Sequence, residues 1–277
     1  MITPFPSVVR IEPAGLCNFK CIHCPVGVEG GRGRIMTYDE YVRIYEILPT
    51  RPRVLVLYHG GEPLLNRDLE KIAAHAKLWG VEKVVMNTNT ALISETRDLS
   101  NIDELRCSFD GESPEDNNRI RKNGNFARNA AHVKELALSD KRPKVIKIYN
   151  ARKGTDQVAQ YLLDYFADCP GMEFEGVELR TWARVNNEPA ELNGAKYCEN
   201  LFETFTVTSN GDVVQCCEDL MHDNGIGSVY QNSPAELWER MEQVREDFSK
   251  GIYPKLCQSC WVLTKGVKVE KRKVRTV

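Results

Sequence analysis

Three cysteines within eight residues, Cys17-Asn-Phe-Lys-Cys21-Ile-His-Cys24, constrain this chain more than any other feature. They follow an apolar run with strand character, Val8–Glu12, so the loop carrying them leaves the end of a first β-strand. In folds built on parallel strands, chemistry collects at that carboxyl end. Three thiolates at this spacing can hold three irons of a cubane cluster and leave the fourth iron without a protein ligand. A structural zinc site wants four ligands built from Cys-x2-Cys pairs, which the gap between Cys17 and Cys21 fits poorly. Ten cysteines in all would also suit a disulfide framework, but that requires an oxidising compartment. The N-terminus shows no charged n-region followed by an apolar h-region, and no run of eighteen apolar residues occurs. The expectation is a soluble, cytoplasmic protein with no membrane partner, whose clustered cysteines ligate metal.

Beyond the loop, short β-rich runs alternate with helical patterns to about residue 182, the grammar of βα units around a parallel sheet. The expected strands are Val8–Glu12, Val54–Tyr58, Lys83–Asn87, Leu105–Phe109, Val145–Tyr149 and Val177–Trp182. Thr37 and Glu40 form a capping box, Asn66 is expected to cap Asp68–Trp79 ahead of Gly80, and Thr155 to cap Asp156–Ala167. Six such units cannot close an eight-fold barrel. The expected fold is therefore α/β, a partial (β/α)6 barrel over residues 1–190. From Phe205 to Gln215 two alternating runs flank Asn210-Gly211, a hairpin signal, and Ser233-Pro-Ala-Glu236 caps a helix running to about Ser249. Hairpin and helix define a second module over 191–262, and 263–277 forms a basic tail read as solvated. With 37 basic and 39 acidic side chains the net charge is −2. No global field draws nucleic acid or an anionic membrane, so the expected partner is a small-molecule substrate.

The Cys-x3-Cys-x2-Cys loop after a first strand resembles that of the radical S-adenosylmethionine superfamily, and three later strand ends agree in order. Tyr58-His59-Gly60-Gly61-Glu62-Pro63 is similar to the family's Gly-Gly-Glu-Pro segment. Met86-Asn-Thr88-Asn89-Thr90 is similar to its Thr-Asn-Gly segment, with Thr90 in the glycine's place. Cys107-Ser108-Phe109-Asp110-Gly111 resembles its Ser-x-Asp-Gly. Strand alternation puts Arg106, Ser108 and Asp110 on one face and Cys107 and Phe109 on the other, packed toward the helices.

The resemblance implies that S-adenosylmethionine chelates the open iron of a [4Fe-4S] cluster held by Cys17, Cys21 and Cys24. One electron from the reduced cluster then splits it to a 5′-deoxyadenosyl radical, and an external reductant such as flavodoxin or ferredoxin supplies that electron. His23, standing where the family usually has an aromatic residue, would pack beside adenine. Gly60 and Gly61 would let the backbone approach the ligand, and Glu62 would accept from its amino group. Asn89, Ser108 and Asp110 would line the site. Arg121 or Arg119 would reach its carboxylate, although either also reads as part of a solvated helix face.

Cys198, Cys216, Cys257 and Cys260 would close a second site with no iron left open, so two [4Fe-4S] clusters are expected. Zinc competes there, because Cys257-x2-Cys260 with two distant cysteines also suits a zinc ribbon. The layout resembles the twitch module, a shortened relative of the SPASM domain, which would need further cysteines after Cys260. Cys217 turns the opposite way from Cys216 and reads as a hydrogen donor or as a small buried residue. The whole layout resembles the twitch group that includes 2-deoxy-scyllo-inosamine dehydrogenase. That implies oxidation of a sugar or aminocyclitol alcohol to a ketone, the second cluster taking the remaining electron. A radical epimerase using Cys217 and a peptide-modifying maturase stay open, the latter disfavoured because such enzymes commonly carry a leader-binding domain before the barrel and here the first strand is expected to begin at residue 8. An electron-transfer iron–sulfur protein would leave Glu62, Ser108 and Asp110 without a purpose. Asn150, Trp182 and Arg184 are candidate substrate contacts, each with an equally good reading as a turn or packing residue.

Overall fold

A computed structural model of the chain describes residues 3–179, 182, 192–260 and 263. Strands β1 (Val8–Ile11), β2 (Val54–Val56), β3 (Lys83–Thr88), β4 (Glu104–Asp110), β5 (Val145–Arg152) and β6 (Met172–Glu178) pair in parallel, each beside its sequence neighbour. Their side chains alternate in purpose. Val9, Ile11, Leu55, Val84, Leu105, Cys107, Phe109 and Ile148 join one buried core, and the residues between them carry polar groups on the other face. One face therefore holds a layer of helices and the other an open polar cleft.

The helices over the first half are α1 (Pro25–Glu29), α2 (Tyr38–Glu46), α3 (Leu69–Leu78), α4 (Pro114–Ile120), α5 (Phe126–Ala137) and α6 (Gln160–Tyr165). The Thr37 capping box opens α2 as expected, both of its reciprocal bonds being present. Asn66 does not cap α3. A 3₁₀ turn over Pro63–Leu65 intervenes, Asp68 precedes the helix, and the Asn66 amide donates instead to the carbonyls of Pro13 and Met36. Thr155 does not cap α6 either. It accepts from the Gln157 N–H in a local turn, and the helix starts only after Ala159. The sixth strand begins at Met172, five residues before the expected Val177, because Glu173 and Glu175 disguise its alternation by facing the cleft. Residues 180 and 181 of the expected strand lie outside the described residues.

Downstream come α7 (Glu199–Phe202), β7 (Thr204–Val207), β8 (Asp212–Val214), β9 (Gly225–Ser228), α8 (Pro234–Arg240), α9 (Glu242–Ser249) and α10 (Lys255–Gln258). The hairpin of β7 and β8 is present, with Gly211 at φ +84° where a side chain would also strike the Tyr230 ring. The expected single helix to Ser249 opens with the Ser233 capping box but divides at Met241. β7 also pairs in parallel with β1, so the second half extends the barrel's own sheet in the order β6-β5-β4-β3-β2-β1-β7-β8-β9. The module boundary expected at residue 190 and the basic tail from residue 264 lie outside the described residues. Among the described residues no helix is long and apolar enough to cross a membrane.

Candidate active site

The cysteine loop is pinned at the carboxyl ends of the strands by three backbone bonds, from the Glu62 turn and from the end of α4. The Glu62 N–H donates to Leu16 O (2.8 Å), Lys20 to Lys122 O (2.9 Å) and Ile22 to Ile120 O (3.1 Å). Cys21 is buried and Cys17 and Cys24 half-buried. Burial pushes all three thiols up, Cys21 to about 12, and the charge of a neighbouring cysteine adds to this at Cys17 and Cys21. Ionising such buried thiols needs a compensating cation, which is what a metal centre supplies.

Glycines Gly60 and Gly61 pack against this loop. A Cβ on Gly61 would lie 2.1 Å from Ala14 O and 2.5 Å from Leu16 O, and the N–H of Gly60 donates to Glu12 Oε1 at 2.8 Å. The smallness of Gly61 thus serves contact with the segment leading into the chain's own cysteine loop. Glu62 is buried and already accepts from Leu64 N, Thr88 Oγ1 and Asn89 N. A carboxylate has about four acceptor positions, so one remains on Oε2 for a ligand's ammonium group. Burial raises its pKa despite those three donors.

Asn89 ties β3 to the loop through Nδ2, 2.7 Å from Asn18 Oδ1 and 3.8 Å from Cys17 Sγ. Thr90, in the glycine's place, adopts φ 72° all the same. Ser108 faces the cleft and donates to Asn87 Oδ1 at 2.9 Å. Arg121 is buried and pairs with Asp110, while Arg119 lies on the exposed face of α4 with Asp116. His23 Nε2 approaches the same Asp110 at 4.0 Å. Its Nδ1 is buried without a partner, and burial holds the imidazole below its ordinary pKa. This loop therefore gathers three thiols, a carboxylate acceptor, an orphaned ring nitrogen and a guanidinium, a donor set that fits a cluster with an amino-acid ligand on it.

Cys198, Cys216, Cys257 and Cys260 line one cavity, closed by Leu201, Phe248, Leu256 and Leu263, with Gln215 Nε2 3.7 Å from Cys257 Sγ. Four thiols around one apolar-walled space fit a closed cluster. Cys217, next in the chain, does not line it. Among the described residues no three Cys, His, Asp or Glu side chains converge closely enough for a single metal ion.

Asn150 is fully buried, donating to Phe109 O and Gly111 O and accepting from Ala159 N, which makes it a brace between β4 and α6. Trp182 packs against the small apolar cluster of Val26, Leu220 and Met221, as do Cys17 and Cys24, and Arg184 lies outside the described residues. Sequence reasoning missed Glu12, which accepts from Gly60, Gly61 and Ser209 and faces His59 and His222. It also missed Arg10. Both share the cleft face of β1, and two charges at i and i+2 in an apolar strand were the available signal.

Residues 11–160 match the Radical SAM superfamily and residues 198–261 match SPASM, an iron-sulfur cluster-binding domain. The fold is similar to that of BtrN in complex with AdoMet and 2-DOIA, with a TM-score of 0.63 at 17% identity over 94% of each chain. It is also similar to Streptococcus suis SuiB bound to precursor peptide SuiA, with a TM-score of 0.63 at 16% identity over 92% of this chain and 71% of that one. Among curated relatives, GTP 3′,8-cyclase of Staphylococcus saprophyticus is 33% identical over 95 residues, 31% of this chain and 28% of that enzyme. The same enzyme of Hydrogenovibrio crunogenus is 24% identical over 191 residues, 65% of this chain and 56% of that enzyme. The matched segments thus span from 28% to 56% of those cyclases. By its match over more than half its length, the chain belongs to the radical SAM superfamily, with a SPASM-type domain following its partial barrel.

Proposed function

We propose that this enzyme is an oxidoreductase that removes hydrogen from a carbon of a small polar substrate, taking a sugar or aminocyclitol alcohol to its ketone. The observation that carries the reading is the cavity lined by Cys198, Cys216, Cys257 and Cys260. Four ligands leave no iron open for S-adenosylmethionine, so the site suits electron transfer alone. Bound at their two sites, S-adenosylmethionine and the clusters supply a hydrogen-abstracting 5′-deoxyadenosyl radical and a one-electron acceptor. The chain's own residues hold and orient. The free position on Glu62 takes an ammonium group, His23 within the loop packs beside the adenine, and Asn87 and Ser108 offer polar groups to the cleft. An alcohol losing one hydrogen atom, one proton and one electron becomes a ketone, so an acceptor next to the barrel is required. Fold likeness to BtrN along 94% of both chains supports this reading.

An epimerase is the second reading. Cys217 stands outside the cavity, half-buried, with the Arg10 charge near it. Reconstituted, reduced enzyme with S-adenosylmethionine and a panel of aminocyclitols, sugars and peptides separates the two. A ketone together with 5′-deoxyadenosine supports the dehydrogenase. Solvent deuterium in an unchanged skeleton, abolished by Cys217→Ala, selects the epimerase. No 5′-deoxyadenosine with both clusters loaded overturns the radical reading altogether.

A further inference from the structure

We propose that Arg10 binds a carboxylate of the substrate inside the barrel, so that the substrate is an acid such as a uronic or aldonic sugar acid. The assignment rests on the barrel cleft being the substrate site of a radical S-adenosylmethionine enzyme. Val9 and Ile11 belong to the core on the helix side, which turns Arg10 to the cleft side of β1. Its side chain is 8% exposed, its Cζ lies 4.6 Å from the centre of the Tyr58 ring, and Nη1 donates to Tyr58 O at 3.0 Å. Nε is buried with no partner, and among the described residues Arg10 makes no ion pair.

Other cations of the cleft are matched. Arg106 holds Glu104 at 2.6 Å, Lys147 holds Glu175 at 3.2 Å and Glu173 at 3.4 Å, and Arg121 holds Asp110 at 2.9 Å. The carboxylate nearest along β1, Glu12, is taken up by the backbone N–H groups of Gly60 and Ser209. An uncompensated buried charge is strongly unfavourable, and a guanidinium offers five donors in a fork that fits a carboxylate.

The neighbouring strand supplies what a bound acid would use. Thr206 sits in register with Arg10 on the adjoining β7, 1% exposed, and Thr208 two residues on is 0% exposed. Both hydroxyls are buried without partners. One unmatched positive charge flanked by two free hydroxyls balances a monoanion, a carboxylate, better than a phosphate dianion. The nearby Cys217 thiol, which feels the Arg10 charge, would then face the acid end of the substrate.

Calorimetry on reconstituted enzyme with S-adenosylmethionine tests this, using glucuronate and gluconate as probes against glucose. Both acids are expected to bind and glucose not. Arg10→Gln is expected to weaken the acids at least tenfold, Arg10→Lys to restore part of that, and Arg34→Gln on the surface to change nothing. Thr206→Val, which keeps the guanidinium, is expected to weaken them several-fold, and stands in if Arg10→Gln loses its iron or its fold. Failure of either acid to bind wild type, or equal binding by Arg10→Gln, overturns the proposal. A shifted potential of the second cluster in Arg10→Gln with unchanged acid binding also overturns it, by assigning the guanidinium to that cluster. Substrate-free 5′-deoxyadenosine formation, measured in parallel, tells failure of this site from failure of the radical reading.

Discussion

Arg121 donates from Nη1 to Asp110 Oδ2 at 2.9 Å, joining the residue that closes α4 to the last residue of β4 underneath the cysteine loop. Both side chains are buried, at 9% and 3% exposed. Burial works against the guanidinium, but the charge of Asp110 more than reverses it, and the arginine stays ionised. Removing either partner strands the other charge, a loss of about 3–5 kcal/mol. Asp110→Ala or Arg121→Met should therefore lose that much in anaerobic urea unfolding, with Asp110→Asn combined with Arg121→Met recovering part. A loss below about 1 kcal/mol for both single variants would show that the pair carries no such burden.

Glu104 sets an acid limit to stability. Burial favours its neutral form, yet Lys83 at 2.5 Å, Arg106 at 2.6 Å and Lys147 at 3.9 Å bring its pKa down to about 2 from 4.5. A folded pKa below the unfolded one gives stability that is complete above about pH 4.5 and is lost as pH falls toward 2. After allowance for solvent screening the contribution is on the order of 1–2 kcal/mol. Glu104→Gln should be less stable at neutral pH, and its urea midpoint should fall less steeply on acidification. Parallel curves for the two proteins would contradict this.

The strand and cysteine plan was legible because it rests on local signals: alternation, caps and spacing. Thr37 and Ser233 announced their helices through reciprocal capping. Asn66 and Thr155 carried the same local signal and misled: Asn66 reaches the Pro13 and Met36 carbonyls 53 and 30 residues away, and Thr155 is used in a local turn with Gln157. The pairing of β7 with β1 could not be read, because register between strands 196 residues apart leaves no local pattern. In the site, the thiols and Glu62 were visible as motifs. Arg10, Glu12 and Thr206 were not, their meaning residing in which of them lacks a partner once the sheet forms.

Metal content should divide the adjacent cysteines. Cys216 lines the cavity and Cys217 does not, so Cys216→Ser should lower iron from about eight to about four per chain. Cys217→Ala should leave it unchanged. Iron and sulfide analysis with electron paramagnetic resonance of the reduced proteins decides this. Equal loss in both variants would place Cys217 among the ligands, and zinc in place of the missing iron in wild type would show that the cavity holds that ion instead.

Thr90 offers a measure of strain at the loop. It is fully buried at φ 72°, a left-handed conformation that a β-branched residue adopts only under constraint. What holds it there is a local clasp: its N–H donates to Thr88 Oγ1 at 3.0 Å and its hydroxyl to Asn89 O at 2.5 Å. Thr90→Ala removes the hydroxyl and keeps the strain, whereas Thr90→Gly removes both. The difference between these two variants isolates the backbone contribution, and glycine should be the more stable by about 1 kcal/mol. Thermal unfolding of the pair measures it. If alanine equals or exceeds glycine, the left-handed turn costs the native state nothing, and the threonine stands there for its hydroxyl alone.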